Sequence, residues 1–148
     1  MLTKEELNAI GEMSTFLQAP PMRHSVVKEW ETKEGYKAVI RKIEMETFNP
    51  ISFLFPSSWL CGYVGVPKSH PLYGKSMDHR SVRSIPVHGR ITFSDTSSWN
   101  EDDFWYFGFD CAHGGDSIED QNDAYVVKEC EFLSDKLKSK ELKLRKKS

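Results

Sequence analysis

Three residues in one short stretch carry side chains that could do chemistry: Asp110, His113 and Asp116, spaced three apart. On a regular strand Asp110 and His113 would face opposite sides, because side chains alternate. The pair Gly114-Gly115 predicts that the chain is already turning there, and in a turn all three can converge. His88, on an expected neighbouring strand, completes a set of two histidines and two carboxylates, with Asp116 expected at the rim. That donor set suits Zn²⁺, Mn²⁺ or Fe²⁺. A metal held this way would lower the pKa of a bound water toward about 7 and drive hydrolysis. The same side chains could instead bind a ligand directly. A third reading is structural: His113 on a backbone carbonyl, the two acids capping turns or the last helix. The spacing is far less specific than a Cys-x-x-Cys pair or a His-Glu-x-x-His helix.

Cys111 could share a face with His113, an arrangement that invites a nucleophile reading. It lies in an acidic stretch, which would raise its pKa and disfavour the thiolate. Cys61 and Cys130 read as core residues. Three cysteines without a close pair argue against a disulfide framework or a Cys-based zinc site.

A second group of candidates sits on the long segment from Lys68 to Ser84. His70 and Tyr73 could contact a ligand there. Lys68, Lys75, Arg80 and Arg83 could hold phosphate or carboxylate groups, or form a solvated basic loop. A connection of this length inside a compact domain is usually functional or mobile, so a lid that orders on ligand binding is expected.

The elements that must position these residues can be taken in order. Thr3 and Glu6 fit a capping box at the start of a helix running to about Leu17, which Pro20-Pro21 would stop. Residues 23–31 and 36–44 read as two strands joined by a polar turn at Lys33-Glu34-Gly35, with a second reading that makes residues 36–45 partly helical. Residues 48–55 form an apolar segment bounded by prolines, and residues 59–66 a strand that Pro67 ends. Residues 87–94 are expected as a strand carrying His88, pairing with the aromatic strand 104–109 across a polar connection. The chain then predicts a helix from about Asp123 to Leu144, whose Val126, Cys130, Leu133 and Leu137 follow a 4-3-4 spacing and make one apolar stripe. The fold class expected is α+β: a mostly antiparallel sheet of four to six strands with an N-terminal and a long C-terminal helix.

The 148 residues suit one domain, with a basic C-terminal tail from about residue 138. A net charge of −2 argues against a general nucleic-acid or membrane coat. No apolar run approaches the roughly 20 residues that cross a bilayer, and the acidic start lacks a signal-peptide core, so a cytoplasmic protein is expected. The charge is unevenly placed. Residues 68–90 hold five basic side chains and one acid, residues 95–123 nine acids and no Lys or Arg. These segments either neutralise one another across the fold or form a cleft with one basic and one acidic wall.

Three blocks carry a resemblance. They are Gly62-Tyr63-Val64-Gly65-Val66-Pro67-Lys68-Ser69-His70-Pro71-Leu72-Tyr73-Gly74-Lys75, then Val87-His88-Gly89-Arg90-Ile91-Thr92-Phe93, then Trp105 to Asp116. Together they resemble a family of small proteins encoded by tailed bacteriophages and prophages, over residues 59–137. Arg90 departs from the His-Gly-Gly that the family often shows at residues 88–90. The resemblance implies a phage or prophage setting, hence a host-cell cytoplasm, and a shared polar site. It implies no reaction.

Two functions follow as expectations. The first is an accessory protein that binds a small nucleotide-like molecule in a pocket of aromatics, His, Asp and loop Arg or Lys, and so sequesters a host defence signal. The second is a metal-dependent hydrolase of phosphate or amide bonds using His88, Asp110, His113 and Asp116. A small-molecule partner is expected in both, with zinc or another divalent metal as the cofactor of the second. A homo-oligomer is compatible with either.

Overall fold

A computed structural model describes residues 3–4, 22–45, 58–113 and 115–146. The expected N-terminal helix and the apolar segment 48–55 fall outside the described residues, apart from Thr3 and Lys4. Five antiparallel strands form one sheet: β1 (Met22–Glu31), β2 (Lys37–Met45), β3 (Ser58–Val66), β4 (Phe93–Thr96) and β5 (Trp105–Asp110). Their order is β1-β2-β3-β5-β4. Among the described residues these strands are accompanied by a single-turn α1 (Arg80–Arg83) and a long α2 (Asp123–Lys146). The fold is α+β, as the sequence pattern predicts.

Alternation along the strands builds two cores. Ala38 and Ile40 of β2, Leu60 and Val64 of β3, and Phe107 and Phe109 of β5 face α2. The α2 stripe of Val126, Cys130, Leu133 and Leu137 is fully buried against them. Gly62 makes that approach possible, because a Cβ there would stand 2.8 Å from Cys130 Sγ. The opposite face buries Val39, Ile43, Cys61, Tyr63 and Tyr106 under Trp59, Phe93, Trp99 and Phe104. The aromatic run therefore serves both cores from one strand, as period-2 geometry requires.

Side-chain capping and polar pairs fix α2 lengthwise. Asn122 Oδ1 accepts from Tyr125 N at 3.0 Å, capping the first turn. Trp30 Nε1 donates to Glu131 at 2.6 Å and the Tyr36 hydroxyl to Glu141 at 3.2 Å. Glu141 is buried, and Lys138 and Arg145 pair with it at 2.7 and 3.2 Å. The basic C-terminal stretch is thus the last turns of α2, tied to a buried acid. Among the described residues no helix is long and apolar enough to cross a membrane.

The segment 68–84 is not an open lid. It is a chain of hydrogen-bonded turns leading into α1, and His70, Leu72 and Val82 anchor it in the core. Residues 87–92 also depart from the expected strand. Arg90 N donates to Val87 O at 2.8 Å, and Gly89 takes φ 63. This is a tight turn, and the ladder to β5 begins only at Phe93.

Candidate metal centre

Two turns built alike bring the site together. In the first, 87–90, Gly89 supplies the positive φ that such turns need at their third position. His88 precedes it and is thrown toward the start of α2. In the second, Asp116 N donates to His113 O at 2.9 Å, and Gly115 takes φ 92 at the same third position. Two residues separate that turn from the end of β5, so His113 and Asp116 are held just beyond that end of the strand.

Asp116 is the centre of the arrangement. Its Oδ2 lies 2.9 Å from His88 Nε2, 3.2 Å from His113 Nδ1 and 2.9 Å from the His113 backbone N–H. The two imidazole rings stand edge-to-face with centroids 5.6 Å apart. One ligand atom from each of His88, His113 and Asp116 lies within 4.8 Å of the other two. His88 is braced from behind: its Nδ1 is 2.7 Å from the Tyr125 hydroxyl, and its backbone N–H donates to Glu129 at 2.8 Å. The side chains of His88 and Asp116 are 17% and 10% exposed, that of His113 42%. The site is therefore rigid on the α2 side and open on the His113 side.

The electrostatics fit this geometry. Burial pushes the Asp116 carboxyl up, but the hydrogen bonds from His88 and from the His113 N–H outweigh it. The net result holds Asp116 below the usual carboxylate range, as an anion. Burial, followed by Glu129, raises the Tyr125 hydroxyl, so it stays protonated and can donate to His88 Nδ1. With His88 Nε2–H donating to Asp116, the chain Tyr125–His88–Asp116 is fully paired. A tyrosine hydroxyl also accepts, so His88 can adopt the other tautomer and free Nε2 for a metal.

His88, His113 and Asp116 come together, where the sequence leads one to expect His88, Asp110 and His113 with Asp116 at the rim; three points differ. His88 arrives from a turn, because the His88-Gly89 step takes a left-handed residue that breaks strand alternation. Asp116 is at the heart of the cluster and not at its rim, since its turn folds the carboxylate back over His113. Asp110 stands apart from the ligand trio: its Oδ1 is 3.7 Å from His113 Nδ1, but it accepts from Ala112 N at 3.1 Å and its Oδ2 from the Thr92 hydroxyl at 3.3 Å.

The candidates on segment 68–84 lie elsewhere. His70 is buried with Nε2 2.9 Å from Leu137 O and Nδ1 accepting from Leu72 N at 3.0 Å, so both nitrogens are engaged in pinning the segment to α2. That burial removes His70 from any ligand-contact role. Tyr73 packs against Trp105, with ring centroids 5.9 Å apart. Arg80 opens α1 and, like Tyr73, has no bond to the histidine cluster among the described residues. Arg83 lines a cavity of about 260 Å³ with Met77, Asp78, Arg90, Ile91 and Thr92. Thr92 connects that cavity to Asp110 and through it to His113.

Cys111 is buried and its thiol is pushed up to about 12, by burial first and Asp116 second. The thiol form predominates, as expected, though burial outweighs the acidic neighbours as its cause. Tyr125 and Glu129 were not legible as site residues. Their only signal is the i, i+4 spacing on the flank of the α2 stripe, which places both on one side of the helix. A cavity of about 290 Å³ near Trp30, Tyr36 and Phe104 shares no residue with the cluster.

No protein-family model matches this chain, and no curated protein or solved structure matches it.

Proposed function

We propose that the protein is a divalent-metal-dependent hydrolase whose ion is held by His88 Nε2, His113 Nδ1 and the Asp116 carboxylate. The carrying observation is that one ligand atom from each of the three residues lies within 4.8 Å of the other two. In a tetrahedral site with bonds of about 2.0–2.2 Å, neighbouring ligand atoms stand roughly 3.3 Å apart. The 2.9 and 3.2 Å separations from Asp116 Oδ2 need only a small outward movement to reach that. Three protein ligands leave a fourth position for water, the pattern of catalytic and not of structural zinc. Tyr125 behind His88 supplies the outer hydrogen bond that such histidines require. A water on the ion would ionise near neutral pH, and Asp110, partly exposed beside His113, can take its proton.

The second reading is direct binding of a small nucleotide-like molecule without turnover. Its support is that Asp116 Oδ2 already accepts three hydrogen bonds, so the cluster is a complete polar wall without an ion. The resemblance of residues 59–137 to phage and prophage proteins gives this reading its setting, the sequestration of a host signal in the host cytoplasm.

Elemental analysis and calorimetric titration with Zn²⁺ and Mn²⁺ separate the two. The hydrolase reading expects one equivalent of metal, lost in His88→Ala and Asp116→Asn, and turnover of a phosphate ester or amide. Absence of metal binding, with an intact nucleotide co-purifying, would establish the binder instead.

A further inference from the structure

Resting on the metal-centre reading, we infer that the substrate is a phosphate ester, and that Arg83 and Arg90 hold its phosphate in the cavity next to the histidines. The cavity of about 260 Å³ has these two guanidinium-bearing residues and one acid, Asp78, on its wall. Neither guanidinium makes an ion pair or hydrogen bond among the described residues, although seven Lys or Arg ion pairs occupy other charges of the fold. Two unpaired forks around one small hollow match a doubly charged, tetrahedral anion, which arginine binds through parallel N–H donors. The space is below the roughly 300–1,000 Å³ of pockets that enclose whole drug-sized ligands, so it suits a phosphate group and not an entire nucleotide.

Both arginines are carried on fixed backbone. Arg83 ends α1, which is set by fully buried Val82 and capped by His79, whose Nδ1 accepts from Ser81 N at 3.1 Å. Arg90 lies between buried Val87 and Ile91 and is hydrogen-bonded to Val87 O. It adopts φ 70, the one positive φ at a non-glycine among the described residues. An L-residue is strained there, which a glycine would avoid. Strain of this kind is retained where the surroundings fix it, commonly at ligand clamps.

The cavity reaches the metal centre by a short route. Thr92 lines it and bonds Asp110, whose other oxygen faces His113 Nδ1. Gly89, one residue before Arg90, lies against the His113 ring. An ion held by His88, His113 and Asp116 would acidify a water, and Asp110 would take that water's proton; as the water oxygen adds to phosphorus the P–O bond to the leaving group would break, and Asp110 would return the proton to the leaving oxygen. Two guanidiniums and a divalent ion together neutralise the charge of such a transfer.

The probe is inorganic phosphate, titrated into EDTA-treated protein and followed by calorimetry and ³¹P NMR. Zn²⁺ is titrated separately in phosphate-free buffer. The expected result is phosphate binding that weakens at least tenfold in Arg83→Gln/Arg90→Gln, with Zn²⁺ affinity changed less than twofold. His113→Ala is expected to show the converse, lost Zn²⁺ affinity with phosphate affinity kept. Equal phosphate affinity in wild type and the double variant, or none in either, overturns the phosphate site. Phosphate binding through the arginines in a protein that takes no metal upholds the site and removes the hydrolase reading alone. Both arginines are exposed at the surface, and a melting curve of the double variant within a few degrees of wild type establishes that it folds.

Discussion

A Cβ on Gly89 would lie 2.2 Å from Cε1 of His113. The two residues come from different turns, and the His113 ring rests directly on the Gly89 backbone. Gly89 also has φ 63, so two independent constraints exclude a side chain at this position.

Gly89→Ala is therefore expected to displace the His113 ring and strain the turn together. The left-handed backbone alone costs about 1–2 kcal/mol, enough to lower the melting temperature by several degrees in a chain of this size. Zn²⁺ titration should show affinity reduced at least tenfold. Unchanged melting and unchanged Zn²⁺ binding would show that His113 has no fixed place on Gly89.

His113→Ala should separate function from stability. Its side chain is 42% exposed, so little packing is lost, and the melting temperature of metal-free protein should stay within about 2 °C of wild type. Metal binding should disappear. A loss of about 1–3 kcal/mol in denaturant melts, with metal binding kept, would instead assign His113 a structural role, bracing Asp116.

Tyr125→Phe tests the support behind His88. The hydroxyl 2.7 Å from His88 Nδ1 fixes the ring's tautomer and direction. Removing it should weaken metal affinity by about 10–100-fold, the usual consequence of losing an outer hydrogen bond to a ligating histidine. Equal Zn²⁺ isotherms for the two proteins would take Tyr125 out of the site.

Leu133→Ala addresses the packing of α2. Leu133 is fully buried between α2 and the sheet, and truncating such a leucine costs about 2–5 kcal/mol. A loss under about 0.5 kcal/mol in urea melts would mean the stripe does not carry the helix.

How much of this was legible follows from what each pattern depends on. The α2 stripe was readable because Val126, Cys130, Leu133 and Leu137 share one helical face whatever they pack on. The aromatic strand was readable because alternation decides its two faces. His88 was misplaced on a strand because Val87, Ile91 and Phe93 give a strand-like apolar pattern, while the Gly89 turn interrupts it. The central position of Asp116 depends on a carboxylate folding back on its own turn, and His70 on a carbonyl of α2 sixty-seven residues away. Spacing along the chain carries neither fact. Arg90 is the reverse case: nothing in its spacing marks it, yet φ 70 is the backbone a glycine would hold without strain.

The buried histidine makes acid sensitivity a last expectation. His70 faces Glu141, Arg145 and Lys138 of α2, with the Tyr36 ring edge-on at 5.6 Å. Burial lowers its pKa and outweighs the bond to Leu137 O and the attraction of Glu141, which raise it. Its Nδ1 accepts from Leu72 N, so the native fold needs the neutral ring. The unfolded chain then binds the proton more readily than the folded one, and stability must rise with pH across the interval between the two pKa values. Stability should be full above the unfolded value, about 6.5, and should fall as pH drops below it toward the lower folded value. Protonation would place a charge in the core and set an N–H against the Leu72 N–H. Urea midpoints measured from pH 7.5 to 5 should decline more steeply in wild type than in His70→Gln, whose amide keeps one acceptor and one donor group but cannot titrate. Parallel declines in the two proteins would assign the acid sensitivity to other groups and leave His70 an ordinary packed residue.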